Sequence, residues 1–375
     1  MRLTMNRRRM IATSLAGAAL TGISLGTPGV ALTATGRRKF VFVIQRGAAD
    51  GLALVQPHGD RALRDLRGSL VDDEARMLDG FFALHPAMAQ TAGMFAAGEA
   101  RAWHAVATGY RERSHFDAQN VLESGGARAY DKRTGWLGRM LPLLGGETDA
   151  MALGPTVPLA LRGERQVATY SANRLPDPNE DLLARLSTMY AEDAQLGPLW
   201  DEAMRTHSMT GDIAGNAGRD GGRLGQLAAS LMTGADGVDI MMIETGGWDT
   251  HRAQPRVLDN QLTGLDALLA ALKEGLGAQW RETLLLVATE FGRTAAVNGT
   301  GGTDHGTASA ALLLGGALPA GDPVEADWPG LASSALYEGR DLRPTGDLLA
   351  KATGALATHF GVDRERALAA LRADG

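Results

Sequence analysis

Residues 284–311 read LLLVATEFGRTAAVNGTGGTDHGTASAA, and this stretch decides the fold class. Residues 284–288 are an unbroken apolar run of strand length, the pattern of a parallel strand buried on both faces. The chain then turns polar at Thr289, Glu290, Phe291, Gly292, Arg293 and Thr294. A glycine-rich connection leads to Asp304 and His305, framed by Gly302 and Gly306, and a second apolar run occupies 310–314. Two buried strands with ionisable groups massed between them describe a ligand-binding edge. In open α/β sheets, ligands sit outside the carboxyl ends of strands, where short loops converge polar groups on one crevice.

The same pattern recurs along the chain. Residues 40–44 form an apolar strand followed by RGAADGL (46–52), which places Asp50 at a strand end; a turn aspartate beside a turn glycine is the simpler alternative. Residues 100–107 (ARAWHAVA) lead into GYRERSHFDAQNVLESGG, where Ser114 and Asp117 have the spacing of a capping box for a helix reaching Ser124. A serine hydroxyl at a helix N-terminus is also where a nucleophile or anion-binding donor belongs, because free N–H groups stabilise developing negative charge there. His115 and Arg113 flank it. Residues 238–244 (VDIMMIE) end in TGGWDTHRAQ; in extended backbone Asp249 and His251, two apart, project to one side and can reach a single cation. An amphipathic helix over 257–276 makes the crossover to the strand at 284. Further helices are expected over 87–97, 135–144, 180–200, 222–232, 347–359 and 364–372, with a strand over 150–153. His85 reads as a cap or packing residue. His359 stands near a helix C-terminus, where a cation suits the macrodipole, and reads as a structural residue.

With 375 residues, 45% hydrophobic and 21% charged, the chain is long enough to bury a sizeable core as one α/β domain. A net charge of -6 provides no electrostatic footprint for nucleic acid. The absence of cysteine excludes disulfides, thiolate nucleophiles and Cys-ligated metals. Asn6, Arg7, Arg8, Arg9, Met10 and Ile11 form a twin-arginine region, succeeded by a weakly apolar stretch, 12–25, rich in Ala, Gly and Thr. The expected organisation is a signal over 1–34, read by the twin-arginine export machinery, then a domain over 35–375 without a stable membrane span. Its expected location is periplasmic or extracellular.

Collected, the strand ends supply Asp50, Ser114, His115, Asp249, His251, Glu290, Arg293, Asp304 and His305. Carboxylates and imidazoles without thiolates suit a borderline-to-hard divalent ion such as Zn, Mn, Fe or Mg, one or two in number. Paired metals suit displacement at phosphorus or sulfur. Arg293 offers a bidentate grip on an oxyanion, so the expected partner is a small anionic substrate.

At these residues the chain resembles a known family. RGAADGL, RSHFDAQNVLESG, ETGGWDTHRAQ, TEFGRTAAVNGTGGTDHG and the apolar strand before Gly315 and Gly316 are similar to the exported domain-of-unknown-function family 1501, in the family's order and over nearly all of the chain from Phe40. The resemblance implies membership of the alkaline phosphatase and sulfatase superfamily, and so a mostly parallel central sheet sandwiched by helices. It implies Asp50 as the first-strand metal ligand, Ser114 as nucleophile, Asp249 and His251 as the Asp/His ligand pair, and His305 as the last histidine ligand; beside these, the strand-end pattern offers Glu290 and Asp304 as further ligands and Arg293 or His115 to bind the oxyanion. One departure stands out: Glu290-Phe291 replaces the usual Asp-His or Asp-Asn, and phenylalanine cannot ligate a metal. The expected activity is metal-dependent hydrolysis of phosphate or sulfate esters; the alternative is a non-catalytic exported protein that keeps the fold for ligand binding or scaffolding.

Overall fold

The computed structural model describes residues 37–145, 148–171, 180–190, 193, 196–200, 220–234 and 236–374, all within one compact unit, Gly36–Gly375. The twin-arginine region and the expected signal over 1–34 lie outside the described residues. In chain order the strands are β1 (Lys39–Gln45), β2 (Val55–Gln56), β3 (Arg76–Met77), β4 (Ala83–Leu84), β5 (Ala100–Ala107), β6 (Ala150–Leu153), β7 (Ala168–Tyr170), β8 (Ile240–Thr245), β9 (Thr283–Thr289), β10 (Ser309–Leu314), β11 (Val324–Glu325) and β12 (Gly346–Asp347). Among the described residues, nine form one sheet in the order β11-β5-β10-β9-β1-β8-β6-β7, with β12 also on β5, and β2-β4-β3 form a small second sheet.

The large sheet is parallel except for β10, which runs antiparallel to both β9 and β5. Its central strands β1, β9 and β10 are buried on both faces, and successive side chains enter opposite cores, as the twofold pleat requires. Val41 and Val43 of β1 join one core with Leu285 and Val287 of β9. Phe40, Phe42 and Ile44 join the other with Leu284, Leu286 and Ala288. Helices Gly221–Thr233 and Gln254–Leu276 cover the first face through Leu227, Leu231, Leu262 and Leu269. Helices Trp136–Met140, Leu348–Phe360 and Arg364–Arg372 cover the second through Trp136, Leu356 and Leu371. Each fully buried aliphatic side chain contributes about 1.5–3 kcal/mol, so this alternation holds the sheet as a middle layer. The fold is thus α/β with a largely parallel central sheet between helices.

Register aligns the functional edge. Gln45, the last residue of β1, pairs with Thr245 of β8 on one side and Thr289 of β9 on the other. The loops beginning at Arg46, Gly246 and Glu290 therefore leave the sheet side by side. Because β10 is antiparallel, its first residue, Ser309, lies at the same edge, opposite Val106 near the end of β5. The register shifts between Ser309 and Ala311, opposite Ala105, which has φ 55. Such a bulge bends a strand and re-aims the residues beyond it.

Several local expectations are corrected. The helix expected over 180–200 is interrupted at Asp193, whose carboxylate accepts from the Leu196 amide (2.8 Å) after a helix that ends at Tyr190. Ser114 is the N-cap of helix His115–Ser124, but its side chain makes no capping bond, and the Asp117 carboxylate accepts from the Tyr110 hydroxyl (3.3 Å) instead. The capping box is therefore not formed. His359 takes the structural role, though burial, which lowers its pKa to about 4, works against a cation at the helix end, and Nε2 lies 2.9 Å from the Lys39 carbonyl. Among the described residues no helix is long and apolar enough to cross a membrane.

Candidate metal centre

Three imidazoles meet one carboxylate at this edge of the sheet. Each histidine is held through Nδ1 and presents Nε2 to Asp249. His115 opens helix His115–Ser124, and its Nδ1 donates to Glu290 Oε1 at 2.9 Å. His251 Nδ1 donates to Asp304 Oδ1 at 3.0 Å. His305 Nδ1 donates to the carbonyl of Arg113 at 3.0 Å. With a proton on Nδ1 alone, a ring held this way presents Nε2 as a free lone pair. Those atoms face the carboxylate: His251 Nε2 is 2.9 Å and His305 Nε2 3.3 Å from Asp249 Oδ1, and His115 Nε2 is 3.5 Å from Oδ2. His251 Nε2 and His305 Nε2 are 3.0 Å apart.

Lone pairs facing lone pairs repel unless a proton or a cation lies between them. His115 Nε2 is buried without a hydrogen-bond partner, the condition that a bound ion would relieve. Ligand atoms of His115, Asp249 and His305 lie within 4.8 Å of one another, and His251 adjoins them through its contacts with Asp249 and His305. A set of imidazoles with a carboxylate fits Zn, Mn or Fe better than Mg, which prefers oxygen ligands. Nδ1 acceptors that fix tautomer and ring direction are the usual outer partners of metal-binding histidines.

The electrostatics arise from the same contacts. Glu290 is 1% exposed. Burial pushes its carboxyl up, but hydrogen bonds from His115, Gln119 and the Gly47 amide outweigh burial and hold it below the ordinary value. The Glu290 bond is the largest cause raising His115, against burial. Asp249 is likewise pushed up by burial and held lower by Arg293, whose Nη1 donates to Oδ1 at 2.8 Å. Asn298, first, and His251 hold Asp304 low. Burial, with the nearby His115 charge, lowers His305.

The structure brings His115, Asp249, His251 and His305 together and places Glu290, Asp304 and Arg293 around them as partners. Asp50 stands apart. It is the N-cap of the short helix Gly51–Leu54, and its Oδ2 accepts from Arg67 Nη1 (2.6 Å) and Gln254 Nε2 (2.5 Å) in a fully buried setting. Ser114 lies in sequence between Arg113, whose carbonyl holds His305, and His115. Arg113 has φ 61, a conformation that costs a non-glycine residue free energy and turns that carbonyl toward the imidazole. Phe291 stacks on His115 (5.0 Å between centroids, 25°) and packs against His305 (5.3 Å), so this position is an apolar wall beside the two imidazoles. Sequence reasoning passed over Asn298, Gln119, Gln254, Thr303 and Arg67. Only the polar character of VNGTGGTDHG hinted at Asn298 and Thr303.

Two glycines make the convergence possible. A Cβ on Gly47 (φ 113) would lie 2.7 Å from the Asp249 amide nitrogen, and one on Gly302 would lie 2.3 Å from the His251 carbonyl carbon. Both are sites of close backbone approach.

Among solved structures the chain is similar to the zinc complex of the C-terminal periplasmic domain of EcEptC from Escherichia coli, at 9% identity over 75% of this chain and 74% of that one, with a TM-score of 0.39. It is similar to a protein in the alkaline phosphatase superfamily from Vibrio parahaemolyticus, at 12% identity over 88% and 67%, TM-score 0.40. It is also similar to the phosphonate monoester hydrolase of Agrobacterium radiobacter, at 11% identity over 88% and 84%, TM-score 0.30. No curated protein matches it. The chain belongs to the family described as Protein of unknown function (DUF1501), which matches it over residues 37–343.

Proposed function

We propose that this chain is an exported, metal-dependent hydrolase of phosphate or sulfate esters. The observation that carries the reading is the convergence of His115, Asp249 and His305, with every imidazole pinned through Nδ1 so that Nε2 faces the carboxylate. These three residues, with His251 beside them, would hold one divalent ion. Such an ion supplies Lewis-acid stabilisation of charge developing on phosphoryl or sulfuryl oxygens.

The chain's own groups supply the rest. Arg293 is fully buried, and its Nη2 has no partner, leaving an N–H donor for an anionic oxygen. Ser114, at the start of helix His115–Ser124, is the nucleophile of this reading; its hydroxyl is not committed to capping the helix. Asp50 plays a structural part rather than that of a ligand. Export rests on the twin-arginine region at Arg7, Arg8 and Arg9.

Elemental analysis of protein purified without chelator, beside His305→Ala, is the test. About one equivalent of transition metal in the wild type and loss in the variant supports the centre; aryl phosphates and aryl sulfates are then screened with that metal. Turnover that survives Ser114→Ala removes the serine from the mechanism. Folded wild-type protein that neither carries nor takes up a divalent ion sinks the metal reading.

A binding-only role is the second reading. Phe291 favours it, because an apolar ring against His115 and His305 leaves room for fewer ligands than a two-metal hydrolase uses. A metal-loaded protein inert toward both ester classes would place it first.

A further inference from the structure

A continuous chain of hydrogen bonds, buried as far as Arg293, runs from Asp50 to the exposed Asp249. Arg67 Nη1 donates to Asp50 Oδ2 (2.6 Å), and Gln254 Nε2 donates to the same oxygen (2.5 Å). Thr303 Oγ1 donates to Gln254 Oε1 (2.6 Å), Arg293 Nε donates to Thr303 Oγ1 (3.3 Å), and Arg293 Nη1 donates to Asp249 Oδ1 (2.8 Å). Asp50, Arg67, Gln254, Thr303 and Arg293 are each at most 1% exposed. Water therefore cannot substitute for a lost partner, and each link must be made within the protein.

The direction of every link is determined. A carboxylate only accepts, so the Gln254 amide must turn its NH2 toward Asp50 and its oxygen toward Thr303. That oxygen needs a donor, so the single Thr303 proton points to it. The lone pairs of Thr303 are then left for Arg293 Nε–H. Reversing Gln254 would set its NH2 against Thr303 and turn the threonine proton into the guanidinium. The arrangement holds Arg293 in the one orientation that places Nη1 on Asp249.

We propose that Asp50, Gln254 and Thr303 are positioning residues: they form a polarised buried relay that fixes the Arg293 guanidinium against Asp249 and so sets the shape of the cation site. The relay itself stands on the hydrogen-bond geometry, and its consequence for the ion rests on the metal reading. It gives Asp50 a function at the site without contact with the ion.

Thr303→Val removes the hydroxyl at nearly constant volume, and Thr303→Ser keeps it. The first readout is the solvent exchange of the Arg293 Nε–H proton, monitored by nitrogen-15 NMR of the full-length protein stripped of metal. The second is Zn2+ affinity by chelator competition at a temperature where all forms are folded. Exchange at least about tenfold faster and Zn2+ affinity about tenfold weaker in Thr303→Val, with Thr303→Ser close to wild type, are the expected results; loss of an outer partner of a metal ligand weakens binding by about 10–100-fold. Unchanged Arg293 exchange in Thr303→Val overturns the relay, whatever happens to Zn2+. Faster exchange with unchanged Zn2+ affinity overturns its role at the cation site. A wild type that binds no Zn2+ defeats the metal reading and with it the relay's role at an ion, while the exchange readout still decides whether Arg293 is held by Thr303.

Discussion

Glu290 and His115 lie on different elements, one at the end of β9 and one opening the helix after β5, and a 2.9 Å hydrogen bond joins them. The carboxylate is buried and also accepts from Gln119 and the Gly47 amide, so it is fixed from three directions. The contact sets the tautomer of His115, leaving Nε2 to face Asp249.

Glu290→Gln keeps an oxygen for Nδ1–H but removes the charge. The expected result is Zn2+ affinity weakened by about tenfold, against complete loss in His305→Ala. Chelator competition measures both. Equal affinities in Glu290→Gln and wild type would show that Glu290 does not tune the centre.

Asp50→Ala leaves the buried Arg67 guanidinium without its carboxylate. Breaking one partner of such a pair costs about 3–5 kcal/mol, more than is lost when both partners are replaced by apolar groups. Urea denaturation should therefore show a large loss for Asp50→Ala and partial recovery in Asp50→Ala/Arg67→Met. At saturating Zn2+ the metal stoichiometry should stay at the wild-type value in the single variant, while its Zn2+ affinity falls with the loss of the relay. A variant lacking metal, with unchanged stability, would restore Asp50 as a ligand.

Why Asp50 misleads a sequence reader is physical. Its strand-end position is identical in pattern to that of Asp249, and the residue that neutralises it, Arg67, lies in a charged stretch with no local periodicity. Buried strands were legible because apolar runs have no other stable place: β5 and helix Arg364–Arg372 fall at their expected bounds. The antiparallel direction of β10 was not legible, since a fully apolar run carries no mark of its neighbours' polarity. Likewise, Asp249, His251 and His305 were legible as one cluster by residue type and strand-end position. The division between residues that converge at the candidate site and residues that hold them, such as Glu290, Asp304 and Arg293, depends on distances that only the fold sets.

Acid stability depends on two buried histidines away from the site. Burial lowers His104 and His359 to about 4. His104 is satisfied as a neutral ring, with Nε2 on the Val55 carbonyl (2.9 Å) and Nδ1 accepting from the Ala105 amide (2.7 Å). Between about pH 4 and 6.5 the unfolded chain binds more protons at these groups than the native state. Their contribution is thus complete above the unfolded value and lost as pH falls toward 4, up to roughly 3 kcal/mol per group. In His359→Gln, the slope of unfolding free energy against pH across this window should drop by up to about 1.4 kcal/mol per unit, the effect of one proton. Identical slopes in urea titrations of the variant and wild type would contradict this assignment.

Gly302 allows the loop carrying Asn298 and Asp304 to clasp the backbone of His251. The His251 carbonyl accepts from Asn298 Nδ2 (3.0 Å) and Thr300 Oγ1 (2.6 Å), and the Thr303 amide donates to the Thr250 carbonyl (3.2 Å). An added methyl at Gly302 would lie 2.3 Å from the His251 carbonyl carbon and 2.4 Å from the Thr250 oxygen, both of them backbone atoms. Neither segment can yield without moving Asp304 away from His251 Nδ1. Gly302→Ala should therefore cost about 1–3 kcal/mol, the usual range for overpacking, and weaken Zn2+ binding along with it. Gly299→Ala, three residues earlier, meets nothing within 4 Å and should change stability by no more than about 0.5 kcal/mol. Thermal unfolding and chelator competition on both variants separate the two positions. A Gly302→Ala protein as stable and as metal-competent as Gly299→Ala would mean that the clasp does not hold His251 in place.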